Sequence, residues 1–235
     1  PYHGWTYRPD GTLMTTTLEQ RLPTDFDAAS NGLLAALRVE RFKGLIFASW
    51  NSDVEPLPVY LGDFAWYLEL MFGRTPLGME VLAPPQRWRV RANWKIGAVN
   101  LCGDNQHVVT THLGPLTLDP LHQVLGGNTD VVDDSFQIVG GEGHAATLTY
   151  LTEGLPAHVY AMRPPELEPC FKRALSAAQV KAFDRLRVMV GTVFPNMSFL
   201  ETQAGETGKT LVLRLWVPLS AIETEVLSWA LAEKE

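Results

Sequence analysis

The chain has 235 residues, a formal net charge of −7, and a composition that is 46% hydrophobic, 19% charged and 10% aromatic. That suffices for one large globular domain or one and a half ordinary ones, with no low-complexity tract. The acidic balance argues against nucleic acid and anionic membrane as partners, and no apolar run reaches the roughly 18 residues of a spanning helix.

The opening reads as a β-hairpin: residues 2–7, a turn at Arg8-Pro9-Asp10-Gly11, then residues 12–17. Residues 18–36 are irregular, punctuated by Pro23 and Asn31-Gly32. Residues 37–50 alternate and then become continuously apolar, as a strand entering a core does. Pro56 and Pro58 sit in the polar stretch that follows, and the domain boundary is placed there, giving 1–52 and 53–235. Residues 57–72 carry Leu57, Tyr60, Leu61, Phe64, Tyr67, Leu68 and Met71 at helical spacing, one apolar stripe that Gly73 ends. Residues 86–92 alternate as a strand and feed a helix starting at Asn93.

That helix holds the chemistry. Asn100, Asp104 and His107 stand at i, i+4 and i+7 and share one face of a helix. His112 lies five residues on, roughly 140° around the axis. The two imidazoles reach one ion only if the helix ends between them, and Val108, Val109, Thr110 and Thr111 resist helix there. Ligating imidazoles usually donate their second N–H to a carboxylate or carbonyl, a role open to Asp104. The same residues also fit a half-buried helix whose His and Asp satisfy each other's hydrogen bonds.

Further on, residues 135–139 and 146–151 read as strands around the loop Gly140-Gly141-Glu142-Gly143-His144. Ser176 to Gln179 form a capping box, opening a helix to about residue 189. Strands at 191–201, 211–217 and 224–232 close the chain, and the pattern is α+β. His144 reads as a solvated loop residue, the alternative being a place at the border of a pocket, His122 and His158 read as surface or structural, and Phe194 and Phe199 as core. Cys102 and Cys170 make no disulfide framework and suit a reducing cytoplasm.

Several short motifs then fall into one order. Pro1-Tyr2-His3-Gly4-Trp5 resembles the second half of a Rieske 2Fe–2S site. Asn93-Trp94-Lys95, Asn100, Gly103-Asp104, His107 and His112 resemble the iron motif of the large (alpha) subunit of Rieske non-haem iron aromatic-ring-hydroxylating dioxygenases. Gly44-Leu45-Ile46-Phe47, Tyr60-Leu61-Gly62-Asp63 and Gly191-Thr192-Val193-Phe194-Pro195-Asn196 add to the resemblance, which covers essentially the whole chain.

The resemblance implies the end of a Rieske β domain, then a helix-grip (Bet v 1-like, START-like) catalytic domain with a curved antiparallel sheet. It implies His3 as a ligand of the Rieske cluster, with Trp5 packed over the cluster loop, and His107 and His112 as ligands of a mononuclear Fe(II). Asp104 would bridge His107 to the Rieske histidine of a neighbouring subunit, and Asn100 would sit near the iron. Leu101, Val108, Val190, Met197 and Leu200 would line an apolar substrate pocket. The implied activity is cis-dihydroxylation of an arene with O2 and electrons from NAD(P)H through a reductase and a ferredoxin, in a cytoplasmic homotrimer with or without a β subunit. The remaining Rieske ligands and the carboxylate that completes the iron site are expected outside the chain, which resembles a fragment truncated at both ends; Asp130, Asp133 and Asp134 match no ligand pattern. Two other readings stay open: a Rieske monooxygenase or demethylase acting on a non-arene, and a metal-free helix-grip ligand-binding module.

Overall fold

The computed structural model describes residues 3–17, 19–104, 106–112, 134–150, 168–204 and 208–234. The chain divides into two compact units, Pro1–Glu55 and Pro56–Glu235.

In the first unit, β1 (Thr6–Tyr7) and β2 (Leu13–Thr15) form a short antiparallel hairpin. Asp10 shapes its turn: the carboxylate accepts the Thr12 N–H at 2.9 Å and the Thr12 hydroxyl at 2.7 Å. Trp5 meets Phe26 edge-on, ring centroids 5.9 Å apart. Residues 37–50 are not one strand entering a core. They are a hairpin of β3 (Arg38–Phe42) and β4 (Leu45–Ser49), with no fully buried residue and Ile46 67% exposed. Lys43 and Gly44 both have positive φ, 47° and 85°, the geometry of a two-residue hairpin turn. A turn of two residues leaves almost no gap in an apolar run, which is why the sequence pattern hid it.

The second unit is built on one large antiparallel sheet. Its strands are β5 (Met79–Val81), β6 (Gln86–Val90), β7 (Asp134–Val139), β8 (Ala145–Tyr150), β9 (Leu186–Val193), β10 (Met197–Ala204), β11 (Gly208–Ser220) and β12 (Glu223–Glu233). The order is β5-β12-β11-β10-β9-β8-β7, with β6 also paired to β12. The segment expected as one strand at 191–201 is two, folded back at the Phe194-Pro195-Asn196 turn.

One face of this sheet takes the apolar stripe of residues 57–72. The stripe is not one helix: α1 (Leu57–Leu61) and α2 (Ala65–Phe72) are separated by a 3₁₀ turn that starts at Gly62, whose φ of 48° and ψ of −139° no α-helix contains. Leu61, Phe64, Leu68 and Met71 are nonetheless fully buried, each worth about 1.5–3 kcal/mol over leaving it exposed. Phe64 and Phe72 close on Phe199 of β10, with centroids at 6.5 and 5.8 Å. Helix α6 (Ala177–Arg185) follows α5 (Glu168–Ala174) on the chain, and Gln179 of α6 donates to Trp66 O at 3.0 Å. Its Ser176–Gln179 capping box is complete, but the helix stops at Arg185, because Leu186 onward pairs into the sheet as β9.

The opposite face carries helix α3 (Trp94–Gly103), which lies across β8, β9, β10 and β11. Ala98 and Leu101 pack with Trp216 and Val226, flanked by Val90, Trp94 and Val190. A directed hydrogen-bond chain pins it: Trp216 Nε1 to Ser198 Oγ at 2.7 Å, Ser198 to Thr192 at 2.8 Å, and Thr192 Oγ1 to the Ala98 carbonyl at 2.8 Å. At Gly97 the helix comes so close that a Cβ would stand 2.5 Å from the Trp216 ring. Among the described residues no helix is long and apolar enough to cross a membrane.

Candidate functional site

Asn93 starts α3 by accepting the Lys95 N–H at 3.1 Å, and its amide donates to Ala221 O at 2.9 Å. The helix ends at Gly103, and Asp104 leaves it with φ −108° and ψ 80°. A second helix, α4 (Gln106–Thr111), follows at once. The helix is thus broken once before His107, and α4 then ends at Thr111, so that helix does end between the two histidines as expected, with His112 just past it. The β-branched run from Val108 to Thr111 stays helical, since intrinsic propensity is a weak prior that local capping overrides. Asp104 supplies that capping: its Oδ1 accepts the His107 N–H at 3.2 Å.

The break gathers four side chains. His107 Nδ1 faces the Asp104 backbone carbonyl at 2.5 Å and lies 3.5 Å from Asp104 Oδ2. Asn100 Nδ2 is 3.4 Å from Asp104 Oδ2 and 3.4 Å from His107 Nδ1. Two acceptors on Asp104 assign the proton to Nδ1, which makes Nε2 the lone-pair nitrogen. The His112 ring stands edge-on to that of His107, centroids 5.1 Å apart and planes at 69°. The Asp104 side chain is 45% exposed and that of His107 24%.

Among the other candidates, Leu101 is buried against Val190, and Leu200 pairs across the ladder with Val190 and Val212, so these three share the α3 face. Met197 does not. Strand alternation puts it with Phe199 on the face that carries α1 and α2, three residues and therefore one parity away from Leu200. The Val108 side chain, His122 and His158 lie outside the described residues. His3 belongs to the first unit; it has φ 52°, and its carbonyl accepts from Thr17 Oγ1 at 2.7 Å. Phe199 is core, whereas Phe194 is 46% exposed.

His144 departs most from expectation. It is fully buried, its Nδ1 accepting the Phe194 N–H at 3.1 Å and its Nε2 donating to Tyr60 O at 2.9 Å. The Tyr60 hydroxyl closes the ring with a 2.7 Å bond to Phe194 O. Burial pushes the His144 pKa below its ordinary 6.5, so folding favours the neutral ring. The unfolded chain then binds the extra proton as pH falls through 6.5, and His144's contribution to stability is complete above that value and lost below it. Thermal unfolding from pH 8 to pH 5 is expected to show a steeper acid decline in the wild type than in His144→Asn; parallel curves would remove His144 from the acid response.

A metal is tested against this donor set by chemistry. Two adjacent imidazoles, one with its tautomer fixed by a carbonyl and a carboxylate, match what divalent iron takes from protein. Among the described residues no carboxylate joins the two imidazoles as a third ligand. The residues present fit two of the three protein ligands of a facial site. The residues that hold α3 in place, Thr192, Ser198, Trp216 and Gly97, carried no sequence signal, since only the strand register brings them to one face.

No family model matches the chain. It is 32% identical over 242 residues to the large oxygenase component of the naphthalene 1,2-dioxygenase system of Pseudomonas aeruginosa, covering 100% of this chain and 52% of that protein. The solved naphthalene 1,2-dioxygenase from Rhodococcus sp. bound to indole superposes with a TM-score of 0.85 at 31% identity, covering 100% of this chain and 54% of that one. The chain belongs to the large-subunit family of the Rieske ring-hydroxylating oxygenases. A further family relative is the N,N-dimethyl phenylurea N-demethylase subunit alpha of Sphingobium sp. (strain YBL2), 30% identical over 97% of this chain and 51% of that subunit. The chain spans about half the length of the family members it matches. The α+β architecture, a large antiparallel sheet carrying helices, is that of these oxygenases.

Proposed function

We propose that these residues form the end of the Rieske domain (1–52) and much of the catalytic domain (53–235) of an aromatic-ring-hydroxylating dioxygenase. The proposed net reaction adds both atoms of O2 to adjacent carbons of an arene, with two electrons and two protons, to give a cis-dihydrodiol. The observation that carries it is the His107 and His112 ring pair, with Asp104 and Asn100 on the Nδ1 side of His107.

In this reading His107 and His112 hold a mononuclear Fe(II), with the third ligand, a carboxylate, supplied from outside the described residues. Ferrous iron bound there supplies open positions for O2 beside the substrate. Asp104 holds the His107 proton at Nδ1, which leaves the Nε2 lone pair for the metal. Leu101, Val190 and Leu200 give the α3 face of the sheet an apolar lining that excludes water next to an arene. His3 ligates the 2Fe–2S cluster, a ferredoxin and a reductase supply the electrons, and the assembly is a cytoplasmic homotrimer, with or without a β subunit.

The full-length protein, incubated with its reductase, ferredoxin, NADH, naphthalene and isotopically labelled O2, is expected to give a cis-dihydrodiol with label in both hydroxyls. The demethylase relative favours a second reading, and label in a single oxygen, with formaldehyde released from an N-methyl aryl urea, would decide for it. Full-length protein that binds no iron although its ligands are intact would sink both and leave a ligand-binding module.

A further inference from the structure

Local hydrogen bonding alone would make α3 and α4 one helix. In a continuous helix the Cys102 and Gly103 carbonyls accept the N–H groups of Gln106 and His107, four residues on. Here the sheet has taken both. Thr147 Oγ1 on β8 donates to Cys102 O at 3.1 Å, and Gln137 Nε2 on β7 donates to Gly103 O. The His107 N–H turns instead to Asp104 Oδ1 at 3.2 Å, and Asp104 adopts non-helical angles. Gln137 and Thr147 are themselves cross-strand partners, so one ladder position delivers both donors to the end of α3.

The consequence reaches the histidine. In an unbroken helix the Asp104 carbonyl points along the axis toward the N–H of residue 108. At the break it meets His107 Nδ1, with the carboxylate alongside. We propose that Gln137 and Thr147 are positioning residues for the His107–Asp104 pair: they hold the α3–α4 break open and so set the tautomer and orientation of His107. The expected effect on metal binding rests on the iron reading above; the expected effect on the helix does not.

The test uses the full-length protein. Gln137→Leu removes the donor, and Gln137→Glu replaces it with an acceptor of the same shape. Both are expected to weaken ferrous-iron binding at the mononuclear site about 10–100-fold, the usual range for a group that orients a ligand, and to alter the absorption spectrum of the cobalt-substituted site. The thermal midpoint should hold, because Gln137 is exposed. Gln137→Lys keeps an N–H donor and is expected to restore most of the affinity; a lysine variant as weak as the leucine one would overturn the hydrogen-bond role. Thr147→Val should act in the same direction. In metal-free protein, hydrogen exchange over residues 100–112 is expected to differ between wild type and Gln137→Leu. Identical exchange would sink the positioning role, whereas wild-type protein that takes up no iron while exchange still differs would sink only the iron reading.

Discussion

Replacing Arg74 with methionine is expected to lower the unfolding free energy by about 3–5 kcal/mol. The guanidinium is fully buried and clamps two carboxylates. Nη1 donates to Glu201 on β10 at 2.5 Å, while Nη2 and Nε donate to Glu233 at the end of β12, at 2.6 and 3.0 Å. The Phe183 ring of α6 stacks 5.0 Å from its central carbon. One side chain thus joins α6 to β10 and β12 across the intervening β11, on the sheet face away from α3. Desolvation opposes its charge, but the two carboxylates outweigh that and raise its pKa. Methionine fills the same space while removing the cation, so Glu201 and Glu233 lose it while remaining almost as buried. That penalty comes from the carboxylates left behind, not from any large net stability of the triad, since such sets can often be replaced wholesale by apolar residues at little loss. Urea unfolding of the variant measures it, and a loss under about 1 kcal/mol would show that water reaches the carboxylates.

Arg74 marks the limit of what the chain disclosed as a sequence. It follows Gly73 in a stretch read only as a helix end, and its two partners lie well over a hundred residues away. The legible parts were those set by local periodicity. The stripe from Leu57 to Met71 marks a buried face whether or not Gly62 interrupts the backbone, and the capping box at Ser176 fixes a helix start by two short-range bonds. Illegible parts depended on register. Val190, Leu200 and Met197 look equivalent as apolar candidates, yet odd spacing sends Met197 to the other side of the sheet. His144 looked solvated among glycines. Its burial comes from Tyr60 and the Phe194 turn folding over it, contacts that span 84 and 50 residues. The site was half legible: helical spacing put Asn100, Asp104 and His107 together, but the break that turns Asp104 onto the ring is imposed by Gln137 and Thr147.

That break gives Asp104 two separable functions, and the second large expected effect divides them. Its backbone carbonyl accepts from His107 Nδ1, and its carboxylate caps the His107 N–H while keeping an exposed oxygen edge. Asp104→Ala removes only the carboxylate. The carbonyl still fixes the Nδ1–H tautomer, so His107 still offers Nε2, and iron content of the full-length protein is expected to persist. Turnover is expected to be abolished, a fall of about 100-fold or more, because the exposed carboxylate would be the group that meets the electron donor's histidine across a subunit interface. Asp104→Asn sharpens the comparison: it keeps an oxygen for the His107 N–H cap and loses the charge. If asparagine restores turnover, the carboxylate serves only as a cap. If it fails as alanine does while iron stays bound, the anionic oxygen itself is required. Loss of iron in both variants would mean that the carbonyl cannot hold His107 alone, and the bridge role would lose its support. Single-turnover measurements with chemically reduced protein separate these cases, since a bridge defect slows delivery of electrons to the iron and leaves binding of the arene untouched.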